Sequence, residues 1–309
     1  MPKIAYVQDR MFKDSSLALI EQANTIIEEY LADDLMLTLR QLYYQFVARD
    51  LIPNQQKEYK RLGHIISEAR LAGLVDWLAI EDRTRNLQSL SHWTNPGSII
   101  DSAAYGYRLD HWKTQPYQVE VWIEKEALAG VITRPSQQLD IPYFSCRGYV
   151  SQSEMWAAAQ RLQRYINMGK NVVILHLGDH DPSGLDMTRD IIDRLELFLN
   201  APNGATWTVN RIALNMDQVR KYEPPPNPAK TTDSRHGEYV RRFGRDSWEL
   251  DALEPRVLRA LVEAHTKALI DDDAWNTTVE EQEKDRELLR KVARHWDRVA
   301  TTIDDIISE

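Results

Sequence analysis

The run NVVILHLGDHDPSG, residues 171 to 184, restricts the fold more than any other stretch of the chain. Asn171 to Leu177 is almost continuously apolar and is stopped by Gly178, the pattern of a strand buried on both faces; such strands belong to parallel sheets with helices on either side. A helical pattern follows from Ser183 to Asn200. Three more strand patterns flank this one. Val119, Val121 and Ile123 alternate with Glu120, Trp122 and Glu124, Ile141 to Cys146 is a short second strand, and Trp207 to Leu214 is a further one, with a helix from Ser151 to Met168 between them. Alternating strands and helices predict an α/β fold with a Rossmann-like, mostly parallel sheet over about residues 115–245.

A different pattern precedes it. Leu17, Ile20, Ala23, Ile26, Ile27 and Tyr30 are spaced as one helical face, Thr38 can cap a second helix, and Gln55 to Ala72 reads as a third, ended by Gly73. The apolar stretch Leu74 to Ile80 then predicts a strand, followed by the basic tip Arg83-Thr84-Arg85. Three helices and a β-wing make a winged-helix DNA-binding domain over residues 1–95. Downstream, Pro224-Pro225-Pro226 and Pro228 stiffen an irregular loop from Tyr222 to His236, and residues 246–309 read as an acidic helical C-terminal extension. A chain of 309 residues has room for about two domains of roughly 150.

Charge and cysteine content narrow the chemistry. The net charge of −9 argues against a general nucleic-acid coat, yet the acidic excess gathers after Asp246, and bases outnumber acids between Met36 and Asn86, which leaves room for a polyanion there. The single Cys146 forms no internal disulfide and builds no thiolate cluster, so any metal must be held by carboxylates or histidines. No apolar run approaches the ~18 to 20 residues of a membrane span, and the N-terminus lacks a basic-then-apolar signal, so a soluble, cytoplasmic protein is expected.

Functional groups in open parallel sheets collect at the carboxyl ends of strands. Glu124 ends one strand there, while Asp179 and Asp181 follow another; two residues apart on extended backbone, they point the same way and can touch one ion. Hard oxygen ligands suggest Mg²⁺, with Mn²⁺ as a substitute. Gly178 and Gly184 are expected to let the backbone turn. A plain helix-start turn is the alternative, and a phosphatase of the haloacid dehalogenase type also carries Asp-x-Asp after a strand, although Ser183 stands where that type wants Thr or Val. His176 and His180 lie ~13 Å apart along a strand and cannot share an ion.

On the second helix, LRQLYYQFVA, about 100° per residue puts Leu39, Leu42, Tyr43 and Phe46 on one apolar face. Tyr43 is therefore core. Tyr44 falls well off that face beside Arg40, its i,i+4 neighbour, and an exposed phenol next to a guanidinium suits a tyrosyl nucleophile. An amphipathic rim tyrosine is the alternative. Lys57, Lys60, Arg61 and Arg70 on the third helix, with Arg83 and Arg85 on the wing, are candidates for DNA phosphate contacts, or form a solvated face balanced by Glu58 and Glu68.

Ile123-Glu124-Lys125, Arg147-Gly148 with Ser151, and Gly178-Asp179-His180-Asp181-Pro182-Ser183-Gly184 together resemble the Toprim domain of topoisomerase VI A subunits and the meiotic double-strand-break transesterase. Arg40-Gln41-Leu42-Tyr43-Tyr44 is similar to the winged-helix segment of those proteins that carries the DNA-attacking tyrosine at its second Tyr. The compact length is closer to stand-alone Mini-A relatives of bacteria, plasmids and phages. The resemblance implies Mg²⁺ ligands at Glu124, Asp179 and Asp181, a catalytic set of Tyr44, Arg40 and Glu124, and DNA cleavage by tyrosyl transesterification. It also implies a homodimer with a shared site, and strand passage only with a separate GHKL-type ATPase subunit, since the chain carries no recognisable ATPase motif. A hydrolytic Toprim nuclease and a non-catalytic DNA-binding partner are the rival expectations.

Overall fold

The computed structural model describes residues 3–33, 35–80, 90–201 and 204–308. The buried run Asn171–Leu177 is a central strand of the fold. β1 (Tyr117–Ile123), β2 (Tyr143–Ser145), β3 (Asn171–Leu177) and β4 (Trp207–Ala213) form a fully parallel sheet in the order β2-β1-β3-β4. Helices cover both faces, as right-handed crossovers require. Val119, Val121, Ile123, Val173, Leu175 and Leu177 point into one apolar core; Trp122, Val172 and Ile174 point into another. The polar members of the β1 alternation are therefore buried too. Glu120 is 2% exposed and is matched by Arg161, which donates to it from Nε and Nη2 at 2.8 and 2.9 Å, and by the Trp122 indole at 2.9 Å. A buried charge needs such a partner.

The N-terminal helices are α1 (Asp14–Leu31), α2 (Leu39–Ala48) and α3 (Gln56–Leu71), packed around a core of their own. Thr38 caps α2 as expected, its hydroxyl accepting from the Gln41 amide at 3.2 Å. Gly73, at φ +71°, ends the third helix in a conformation a side chain would strain. The expected wing strand is not found. Leu74 to Ile80 runs as turns that meet Leu37 only at an isolated bridge from Ile80. Side chains take the place of a strand partner: Asn24 donates to Leu74 O, Arg70 to Trp77 O and Ile80 O, and Asp76 accepts from the Leu78 amide. Val75, Ala79 and Ile80 are buried without a strand, while Leu78 is exposed. Arg83 and Arg85 lie outside the described residues.

Between the N-terminal helices and the proline-rich segment come α4 (Pro96–Gly106), α5 (Ala129–Gln138), α6 (Gln152–Asn167), α7 (Pro182–Phe198) and α8 (Met216–Tyr222). The proline-rich segment ends in β5 (Asn227–Pro228), which pairs antiparallel with β6 (Asp246–Ser247) on either side of α9 (His236–Phe243). Beyond it come α10 (Pro255–Lys267), α11 (Asp272–Arg294) and α12 (Trp296–Ser308). The tail is less separate than its charge suggested. Leu250, Leu253, Leu258 and Val262 share the core of β1 and β3, and Ala252 joins the core of the N-terminal helices. α11 lies along α4, with Tyr107 bonded to Asp285 at 2.8 Å, and its Trp275 packs on buried Trp112 at the edge of the core of β1 and β3. Among the described residues no helix is long and apolar enough to cross a membrane.

Candidate functional site

β1 and β3 deliver their carboxylates to the same sheet edge, where the backbone locks them. The Asp179 amide donates to Glu124 Oε2 at 2.7 Å, stitching the two strand ends together. Asp181 caps α7, its Oδ1 accepting from the Gly184 amide at 2.6 Å and from the Ser183 hydroxyl at 2.8 Å. Asp179 Oδ1 accepts from the Leu250 amide at 2.8 Å, while Oδ2 pairs with Lys125 Nζ at 3.0 Å. Neither Gly178 nor Gly184 adopts a positive φ; they are needed for closeness. A Cβ on Gly184 would stand 2.2 Å from the Asp179 carbonyl oxygen, and one on Gly178 would stand 3.0 Å from Glu124 Oε2.

Arg211, on β4, braces this loop from behind. It donates to the carbonyls of Gly178 at 2.8 Å, Gly184 at 3.0 Å and Asp179, and to Thr188 Oγ1 at 2.8 Å. Burial pushes its guanidinium down to about 10, although Glu124, Asp179 and Asp181 oppose that. His176 is fully buried with Nδ1 2.9 Å from Thr188 Oγ1, and burial pushes it down to about 3. His180 turns away from the carboxylates toward Tyr239, 2.9 Å from its hydroxyl. The two histidines remain separate, as the strand spacing required.

A second set of charges, largely invisible in the sequence, links this edge to α2. Lys125 Nζ sits between Asp251 Oδ1 at 2.8 Å, Glu249 Oε2 at 3.0 Å and Asp179 Oδ2. Glu249 and Asp251 also hold Arg40, whose Nε is 2.6 Å from Asp251 Oδ2. The Arg40 guanidinium in turn lies 5.7 Å from the centre of the Tyr44 ring. Tyr44 and the carboxylates are thus linked within one chain.

Tyr44 is not the exposed phenol predicted from helical phase; it is 3% exposed. Phase placed Tyr44 off the apolar face of α2, but the turn Leu250–Ala252 and the proline-rich segment close over that side and extend the helical core to include it. Asn227 donates to the Tyr44 hydroxyl at 3.4 Å, and Asn54 secures the segment by donating to Pro226 O at 2.8 Å. Burial, with Glu249 and Asp251 nearby, pushes the phenol up to about 12. Tyr43 is core as expected, its hydroxyl donating to Asn54 Oδ1 at 3.0 Å. Lys57, Lys60 and Arg61 are exposed on α3, Arg61 pairing with Glu58 at 3.0 Å. Arg70 is not on that face: it turns inward to the carbonyls of the 74–80 loop and stacks on Trp77 at 5.8 Å.

Five carboxylates, Glu124, Asp179, Asp181, Glu249 and Asp251, are set against Arg40, Lys125 and Arg211, with Lys230 at 4.0 Å from Asp181 Oδ2 in solvent. Burial and neighbouring carboxylates raise Glu124 and push Asp179 up to about 7, a repulsion that added positive charge relieves. Hard oxygen donors and surplus negative charge fit Mg²⁺ in kind. Their placement is looser than the spacing implied, because Asp179 is turned to Lys125 and Asp181 to its cap; among the described residues no three His, Cys, Asp or Glu side chains group around one point.

Glu249 supplies a pH signature of the linking charges. Despite burial, Lys125 and Arg40 hold it down at about 2, below the ordinary 4.5. A depressed carboxylate stabilises the fold above its unfolded value and loses that contribution as pH falls through the folded one. Acid titration of stability is therefore expected to show a loss between about pH 4.5 and 2 that Glu249→Gln reduces, measured by urea melts across that window. Equal slopes for both proteins would show that these ion pairs contribute nothing.

Glu249, Asp251, Asn227 and Arg211 are the site residues that spacing did not reveal. The acid-rich stretch WELDAL was the one local hint, since two carboxylates in an apolar turn demand buried partners. Comparison with known protein families, curated proteins and solved structures finds no match to this chain.

Proposed function

We propose that this chain cleaves DNA by tyrosyl transesterification, with Tyr44 as nucleophile and Mg²⁺ or Mn²⁺ held by Glu124, Asp179 and Asp181. The observation that carries the reading is the continuous chain of charges from Arg40, beside Tyr44, through Glu249 and Asp251 to Lys125 and Asp179. In the reaction Tyr44 Oη attacks phosphorus, the P–O bond to the departing strand breaks, and the departing oxygen takes up a proton. The phenol must first leave Asn227 and lose its own proton, which its surroundings oppose. Arg40, released from Glu249 and Asp251, supplies a planar fork for phosphate oxygens. A bound Mg²⁺ would supply neutralisation of the charge that develops on the phosphate. Lys57, Lys60 and Arg61 lie on an exposed helix face suited to the DNA backbone.

The burial of Tyr44 favours one rival, a hydrolytic nuclease in which water attacks at the same carboxylates. Denaturing electrophoresis of Mg²⁺ reactions with end-labelled duplex DNA separates the two. A protein-linked strand is expected; breaks without any linked strand would assign hydrolysis, and no Mg²⁺-dependent break at all would leave only a DNA-binding role. We extend the proposal to a homodimer acting on both strands, with strand passage confined to a complex with a separate ATPase subunit. Subunit exchange between Tyr44→Phe and Glu124→Ala proteins tells where the site closes: recovered single-strand nicking means a site shared between protomers, and none means a site completed along the ion-pair chain of one protomer.

A further inference from the structure

We infer that the cleft between α7 and α9 is a binding site for one nucleotide of a DNA strand, next to the carboxylate edge. The inference rests on the proposed DNA substrate and adds where a strand is gripped. The cleft encloses about 360 Å³, at the lower end of the roughly 300–1,000 Å³ typical of small-ligand sites. Its position is fixed by the site itself. Pro182, in its wall, directly follows Asp181, and its back wall is tied to His180, the residue between the two aspartates. The His180 ring meets Phe243 edge-on at 4.8 Å, and Tyr239, 2.9 Å from His180 Nδ1 through its hydroxyl, packs against Phe243 at 5.2 Å.

The lining has two characters. Phe243, backed by buried Tyr239, gives an apolar, aromatic wall, and Arg242 lies over the Phe243 ring at 5.2 Å, so a base or sugar would share that wall with the guanidinium. Arg189, Arg235 and Arg242 stand in the lining with Asp186 and Glu238, and Arg189 is held further by Asp193 and Arg235 by Asp233 at 3.2 Å, which leaves Arg242 the least engaged of the three. Asp186 is already engaged, accepting from Tyr149 at 2.5 Å and Arg189 at 2.7 Å and pairing with Arg235 at 2.9 Å. Arg242 stands in the last turn of α9, and Glu238, its carboxylate neighbour, is 3.8 Å away with both side chains in solvent, a contact of little energetic weight. A guanidinium so placed is available to phosphate. Phosphate recognition beside an aromatic wall specifies a nucleoside phosphate rather than a bare anion or an apolar ligand.

The test is binding in EDTA on the Tyr44→Phe background, so that cleavage plays no part. A fluorescein-labelled 12-residue single strand is titrated by anisotropy against the full chain with Arg242 intact, as Arg242→Glu and as Arg242→Lys. Arg242→Glu is expected to weaken binding about tenfold or more and to lower the slope of log affinity against log salt by roughly 0.7, one phosphate contact on a single strand, while Arg242→Lys stays within about threefold. Phe243→Leu is expected to weaken the oligonucleotide without changing that slope. Unchanged oligonucleotide affinity in Arg242→Glu overturns the site. Loss of a free deoxynucleotide alone, with the oligonucleotide unaffected, assigns a small-molecule pocket and overturns the DNA strand as occupant. Inorganic phosphate competing as well as a deoxynucleotide overturns the role of the aromatic wall. Intact Arg242-dependent binding together with no covalent adduct in the tyrosine-containing protein would retain this site and reject the transesterase.

Discussion

Tyr44→Phe is expected to remove the protein-linked DNA strand completely and to lower cleavage by about a thousandfold or more, a barrier increase of roughly 4 kcal/mol. Phenylalanine keeps the ring against Arg40 and the cover of residues 250–252 and loses only a hydroxyl whose bond from Asn227 is 3.4 Å long. The fold is therefore expected to change by about 1 kcal/mol or less. Tyr43 provides the contrast. Its ring packs edge-on against Tyr59 at 5.4 Å and its hydroxyl bonds Asn54, so Tyr43→Ala should cost roughly the 3 to 5 kcal/mol of a lost core aromatic. Urea melts give the stabilities and denaturing gels the adduct. Wild-type cleavage by the Tyr44→Phe protein would transfer the chemistry to water.

The second large effect concerns the carboxylates. Asp179→Ala is expected to abolish Mg²⁺-dependent cleavage and the calorimetric signal of Mg²⁺ binding together, and Glu124→Ala and Asp181→Ala should do the same. The variants differ in what else they disturb. Asp179→Ala leaves the Leu250 amide without its acceptor, and Asp181→Ala removes the α7 cap, worth about 1 kcal/mol. Asp179→Asn keeps an oxygen for Leu250 while deleting the charge, so it separates metal affinity from folding. If Asp179→Ala and wild type bind Mg²⁺ equally and cut equally, the carboxylates are structural.

Much of the sheet region was legible because its signals are local. A continuous apolar run marks a doubly buried strand and a capping residue marks a helix start, and β3 followed by Asp181-Pro182 shows both signals within a dozen residues. The candidate site was legible as a set of carboxylates at strand ends and a tyrosine on α2, because residue type and strand-end position are both written in the sequence. What covers them was not. Tyr44 lies off the apolar face of α2, but Asn227 and Ala252, nearly two hundred residues or more away in sequence, cover it, and helical phase cannot say which distant segment will arrive. The 74–80 stretch failed for a related reason. Apolar composition predicted a strand, but Asn24 and Arg70 bond its carbonyls from elsewhere and let an apolar loop be buried without one. Arg70 was misplaced by the same event, since it was needed inside.

The way residues 248–262 enter both cores bears on how such a chain can change over time. A seam at Asp246 looks natural from charge alone, yet a protein shortened there loses Leu250, Leu253, Leu258 and Val262 from beneath the sheet, together with Glu249 and Asp251 from between Arg40 and Lys125. The interior and the charge link would fail at one stroke. Recombination that exchanges the N-terminal helices or the sheet between relatives must therefore carry this late stretch with it or replace it in concert, so the heritable unit is the discontinuous pair of segments rather than either domain. α11 shares that dependence through Trp275, which packs edge-on against buried Trp112 at 5.8 Å, so α12 is the more tolerant place for the chain to vary in length.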